Sequence, residues 1–220
     1  MSLRLLRAEV WSPQGKLQRV TARTVPNLVL ESPAVVAHAR LVLVGGEGMR
    51  LHEEIITAGG EIFQKRFRRL NVGQVQDALK AGTDKPVSAH MQNDLTTLWD
   101  VLEPSLMQAL EARMKDRLDG MQKLLAERKD KEISDISSVL GELESMIKRE
   151  LADPEYQQLE IWSPSEREQY NRNVTALRLR LKQIPEEMDK EIAAIEQRYA
   201  DPQPRLFPVA VTFLVPEKFA

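Results

Sequence analysis

Apolar residues recur at steps of three and four through the middle of the chain. Between Pro104 and Pro154 the series runs Leu106, Leu110, Met114, Leu118, Met121, Leu125, then Ile133, Ile136, Leu140, Leu143, Ile147 and Leu151. That spacing keeps one face of an α-helix apolar, and a helix over this stretch is about 70 Å long. The segment AERKDKE, residues 126–132, has no apolar anchor. Gly120 and Gly141 each weaken a helix by about 1 kcal/mol relative to Ala, so a weak or splayed point is expected there. ADPEYQQLEIW breaks the pattern and SPSE, residues 163–166, restarts it. Ser163 is a good N-cap, Pro164 suits the first helical position and Glu166 completes a capping box. The second series is Tyr170, Val174, Leu177, Leu181, Ile184, Met188, Ile192, Ile195 and Tyr199, with Pro185 expected to kink it. Two such helices joined by about a dozen residues most simply fold back as an antiparallel hairpin. Pairing of the stripes between two copies is the alternative.

The flanking regions read differently. LRLLRAEVW, the turn SPQG and KLQRVTAR predict a β-hairpin, with Pro13 and Gly15 at preferred turn positions. Pro26 and Pro33 punctuate the next stretch, and HARLVLV, residues 38–44, is a short buried strand. Leu51, Ile55 and Ala58 are spaced by four and three, which predicts a helix over 49–58 that Gly59 and Gly60 stop. RLFPVAVTFLVP, residues 205–216, is a strand apolar on both faces that needs cover on both. No other strand candidate lies within a hundred residues before it, so it should return to the first region's sheet. The expected class is α+β. Residues 1–92 and 201–220 form a small α/β base, and 93–200 form an inserted antiparallel coiled-coil arm.

Composition narrows the chemistry. The chain has 220 residues, is 29% charged and 5% aromatic, and carries a formal net charge of −2. No global field draws it to nucleic acid or an anionic membrane, so such binding must come from a local patch. It has no Cys, hence no disulfide, thiolate metal site or thiol nucleophile. A cytoplasmic protein with no membrane span is the expectation.

The stretch LVLVGGEGMRLHEEIITAGG, residues 41–60, resembles a nucleotide loop only in outline. A Walker loop needs a Lys and a hydroxyl that GGEGMRLH lacks. Leu51 stands where a dinucleotide fingerprint needs its third Gly, and Glu47 repels phosphate. A strand-to-helix turn is expected instead. His52-Glu53-Glu54 lacks the second His of a zinc motif, because residue 56 is Ile. His38 and His90 stand alone. No catalytic residue, metal ligand or cofactor-binding residue is assigned, and the isolated chain is not expected to be an enzyme.

One charged cluster remains. FQKRFRR, residues 63–69, sets Lys65, Arg66, Arg68 and Arg69 among Phe63 and Phe67. Cations neutralise phosphates and aromatic rings stack on bases, so Lys65, Arg66, Phe67, Arg68 and Arg69 are the candidate nucleic-acid-binding residues. The competing reading is an exposed edge strand or helix face with two core phenylalanines. ALRLRLKQ, residues 176–183, adds Arg178, Arg180 and Lys182 and reads as a solvated helix face.

Four blocks carry a family resemblance: GMRLHEEIITAGGEI, ALEARMKDRLDGMQKLLAERK, WSPSEREQYNRNVTALRLRLKQIPEEMDKEIAAIEQRYA and RLFPVAVTFLVP. In this order they resemble the far C-terminal region of bacterial helicase-related proteins of the switch/sucrose-nonfermenting type. These include the large helicase of DISARM-like phage-defence systems. The resemblance spans most of residues 41–216, and its last two blocks are the most specific. It implies a parent that hydrolyses ATP and moves along or remodels duplex DNA. The Walker Lys, acidic Mg²⁺ partner and arginine finger of such motors have no matching positions here. The resemblance therefore implies a C-terminal piece of a longer protein: an accessory module whose partners are the parent's motor domains, DNA or another defence-system subunit. A purely structural coiled-coil module that sets assembly state is the rival expectation.

Overall fold

Residues 18–152 and 163–220 are described by the computed structural model. Among these residues five strands and four α-helices follow one another as β1 (Val20–Val25), β2 (Ala34–Val44), β3 (Arg50–Phe63), β4 (Arg66–Arg69), α1 (Val72–Ala81), α2 (Ala89–Thr97), α3 (Trp99–Ala152), α4 (Pro164–Tyr199) and β5 (Gln203–Pro216). The class is α+β. The expected first strand of the N-terminal hairpin and the break after Ala152 lie outside the described residues.

The strands form one sheet in the order β1-β5-β2-β3-β4. The last strand in sequence is thus an interior strand. β5 pairs in parallel with β1, Val20 opposite Val211, and antiparallel with β2, Ala34 opposite Leu214. Its half from Thr212 to Pro216 is buried, which accounts for the apolar residues on both of its faces. Pro208 cannot donate a ladder hydrogen bond, and interior strands tolerate Pro only at irregularities. The register shifts between His38 and Ala39, which leaves Val209, the next residue after Pro208, without a partner on β2.

β3 corrects the sequence reading. Residues 50–63 are a strand, not a helix with a glycine stop. Spacings of four and three at Leu51, Ile55 and Ala58 fit a helix, but burial alternates with period two from Ile55 to Ala58 and covers both faces from Gly59 to Ile62. Ile56, Ala58, Gly60 and Ile62 are buried along one face. The β-branched run Ile55-Ile56-Thr57 favours the extended chain. The loop at residues 45–49 is accordingly a strand-to-strand turn.

α1 begins with a reciprocal capping box. The Asn71 side chain accepts from the Gln74 backbone, and the Gln74 side chain accepts in turn from the Asn71 amide. Its Val75 and Ala78 join Val25, Leu30, Ala34, Val36 and Leu214 in one core cluster. Ser88 caps α2.

The chain divides into two compact units. Among the described residues, one comprises those up to Val44, His52–Gly120 and Gln203–Ala220; the other comprises Gly45–Leu51 and those from Met121 to Pro202. In the second unit Leu140, Ile147 and Ile184 are buried together, with Ile136, Leu143, Leu151, Leu177, Leu181 and Met188 against them. α3 runs unbroken through Gly120, residues 126–132 and Gly141, where a weak point was expected. A polar anchor replaces the missing apolar one there. Glu132 accepts from the Tyr199 hydroxyl at 2.6 Å and from Arg198 at 2.8 Å. α4 opens with the expected Ser163–Glu166 capping box and continues through Pro185.

Candidate nucleic-acid interface

The basic cluster forms the tip and second strand of a two-residue β-hairpin. Gln64 and Lys65 make the turn with φ of 49° and 60°. Two positive φ angles in succession match the twist of the flanking strands, and Asn-Gly usually supplies them. Phe63 then faces Arg66 across the ladder, Ile62 faces Phe67, Glu61 faces Arg68 and Gly60 faces Arg69. Side chains alternate along a strand. One face of the hairpin therefore carries Glu61, Phe63, Arg66 and Arg68, and the other carries Gly60, Ile62, Phe67 and Arg69.

These positions differ in freedom. Glu61 is only 4% exposed, and Arg68 neutralises it, with Nε donating at 3.1 Å and the terminal nitrogen bonding the same oxygen. This hydrogen bond, reinforced by the carboxylate's charge, raises the Arg68 pKa. The Arg68 guanidinium also lies 5.8 Å from the centre of the Phe63 ring, within cation–π range. Phe67 is half-buried, and its ring stands where a side chain on Gly60 would be, 2.6 Å from such a Cβ. Lys65, Arg66 and Arg69 are exposed and have no ion-pair or hydrogen-bond partner among the described residues. Of the sequence candidates the hairpin thus brings together three free cations, one cation held by a buried acid, and one packed ring.

The exposed aromatic is Phe63, at 49%. The sequence pattern points to the cluster but puts the stacking role on Phe67. Strand alternation from the buried Ile62 exchanges the two. Glu61, the counter-charge of Arg68, escapes a reading that places this segment after a helix.

Beside the hairpin lies a cleft of about 770 Å³ lined by Arg68, Arg69, Leu28, Glu31, Glu61 and Asp77, among others. Its three carboxylates outnumber its two guanidinium groups, so it does not favour a polyanion. Of the hairpin's cations, those without a counter-charge among the described residues are Lys65 and Arg66 at the tip and Arg69 farther along β4. Elsewhere, Arg180 of the second basic stretch pairs with Glu187 at 2.7 Å, and Arg178 and Lys182 lie on an exposed helix face.

The glycine turn has a local explanation. A Cβ on Gly45 would meet the Arg198 carbonyl at 2.1 Å, and one on Gly46 would meet the Gln197 carbonyl at 2.0 Å. The glycines let the turn close onto the last turn of α4, whose carbonyl end is the negative end of the helix dipole. Gln197 also donates to Glu47 at 3.0 Å. In the first unit, Glu54 of the His-Glu-Glu stretch accepts two bonds from Arg117, both at 2.8 Å. That hydrogen bonding lowers the Glu54 pKa. His52 Nε2 lies 3.9 Å from Glu54. His38 contacts the Thr212 hydroxyl at 3.2 Å, and burial lowers its pKa. Among the described residues no group of His, Asp and Glu is placed to hold a metal ion, and no helix is long and apolar enough to cross a membrane. No family model matches the chain, and no curated protein matches it.

Proposed function

We propose that this chain is a non-catalytic accessory module of an ATP-dependent helicase or translocase-like protein. In this reading it works in the cytoplasm beside the parent's motor domains and contacts DNA through the β3–β4 hairpin. The observation that carries the DNA contact is the trio Lys65, Arg66 and Arg69, free of partners at the hairpin while Arg68 is held by Glu61. The four resemblance blocks support the parentage. We read the second half of α3 with α4 as an antiparallel coiled-coil arm. Glu132 meets Arg198 and Tyr199 near the end of α4, whereas Leu151 shares a cluster with Leu177.

Salt titration of DNA binding tests the interface. Each phosphate contact releases condensed counterions, so affinity falls steeply with salt. Changing Lys65, Arg66 and Arg69 to Ala should remove most of the binding and flatten the log–log salt slope by about two to three units. Arg68 is left in place so that Glu61 keeps its partner. Undetectable or salt-independent binding by the unaltered chain defeats the DNA contact and leaves a partner subunit as the hairpin's target. The second reading, a structural coiled-coil module, draws on the apolar cluster between α3 and α4.

A further inference from the structure

We propose that the hairpin takes single-stranded rather than duplex DNA, with one base on Phe63 and the adjoining phosphates on Lys65 and Arg66. The inference rests on the reading of the hairpin as a DNA interface and adds the form of DNA it accepts. A base can lie on an aromatic ring only if its own face is uncovered. In a duplex the neighbouring bases cover it, and in a single strand they do not. A purely electrostatic contact needs cations alone and would leave the ring without a role.

Three features build the ring into a platform. Phe63 is 49% exposed although it lies within a strand. Its diagonal neighbour Arg68 stands 5.8 Å from the ring centre and is anchored by the buried Glu61. The guanidinium is therefore already placed and steadies the ring before any ligand arrives. Arg66, directly across the ladder from Phe63, is on the same face and free of partners, and Lys65 adjoins it in the turn. A free cation is thus attached directly opposite the exposed ring, the two side chains leaving the backbone at Cβ atoms about 5 Å apart. Phe67 cannot serve in the same way, because its ring covers Gly60. The carboxylates of Glu31 and Asp77 line the adjoining cleft. They oppose phosphates in that cleft, where Arg69 is the cation that offsets them, and so favour the tip side for the stacked strand.

The test is fluorescence anisotropy with a labelled mixed-sequence oligonucleotide and its annealed duplex, at equal salt. The single strand should bind more tightly than the duplex. Phe63→Leu, which keeps apolar bulk but loses the π-face, should weaken single-strand binding about five-fold or more and leave duplex binding unchanged. Phe63→Trp should restore or exceed the original affinity, and Lys65→Ala with Arg66→Ala should weaken both forms. Circular dichroism spectra matching the unaltered chain show that the variants fold. Duplex binding as tight as single-strand binding, or a silent Phe63→Leu, overturns this inference and leaves the DNA contact standing. Absence of salt-sensitive binding to both forms overturns the two together.

Discussion

Lys65 holds a left-handed backbone that costs an L-residue with a side chain roughly 1–2 kcal/mol. Glycine at that position adopts it freely, at the expense of a more disordered unfolded chain. Lys65→Gly should therefore raise folding stability by about 0.5–1 kcal/mol, read from the denaturant midpoint. It should also weaken DNA binding by removing one of the three free cations. A residue that costs stability and improves binding marks a functional position, and a loss in both measurements would deny Lys65 that standing. Local chemistry is unevenly legible in the sequence. The Ser163–Glu166 box stands out because an apolar series follows it. The Asn71–Gln74 box has the same four-residue pattern but opens only a short helix, so periodicity does not direct attention to it.

Among the elements, the paired long helices depend on a few buried side chains. Ile184 is fully buried with Leu140 and Ile147. Ile184→Ala should cost about 2–5 kcal/mol through lost transfer energy and the cavity left behind, visible as an earlier loss of helical circular dichroism on heating. Leu179, 59% exposed on the same helix, is the control, and its Ala variant should change stability by no more than about 0.5 kcal/mol. Equal effects at both positions would remove the evidence for a packed seam. The long helices are legible because twelve apolar positions in one series are hard to place otherwise. β3 is not, because Leu51, Ile55 and Ala58 fit the helical period, while in the strand Ala58 faces away from Leu51 and Ile55, and only the β-branched run Ile55-Ile56-Thr57 argues for the extended chain. Sequence could not anticipate Glu132 as an anchor, since its partners Arg198 and Tyr199 are 66 and 67 residues away.

For the molecule as a whole, the accessory-module reading and the assembly reading differ in mass. Val139, Met146 and Leu179 are 60%, 54% and 59% exposed on the long helices, and scattered surface apolar residues of this kind need no partner. Light scattering should therefore give a monomer mass that does not change with concentration. A mass that rises with concentration, and falls back when Val139 and Met146 are changed to Glu, would favour the coiled-coil assembly module instead. The return of residues 205–216 to the first sheet follows from the lack of any nearer strand. Their place between β1 and β2, parallel to one and antiparallel to the other, does not, because both edges of an apolar strand look alike in sequence.

That placement has a consequence for biosynthesis. Thr21 and Thr212 meet although 191 residues separate them, so β1 and β2 leave the ribosome long before the strand that joins them exists. Until translation reaches Gln203–Pro216, two sticky ladders stand open, the condition in which nascent chains recruit chaperones or aggregate.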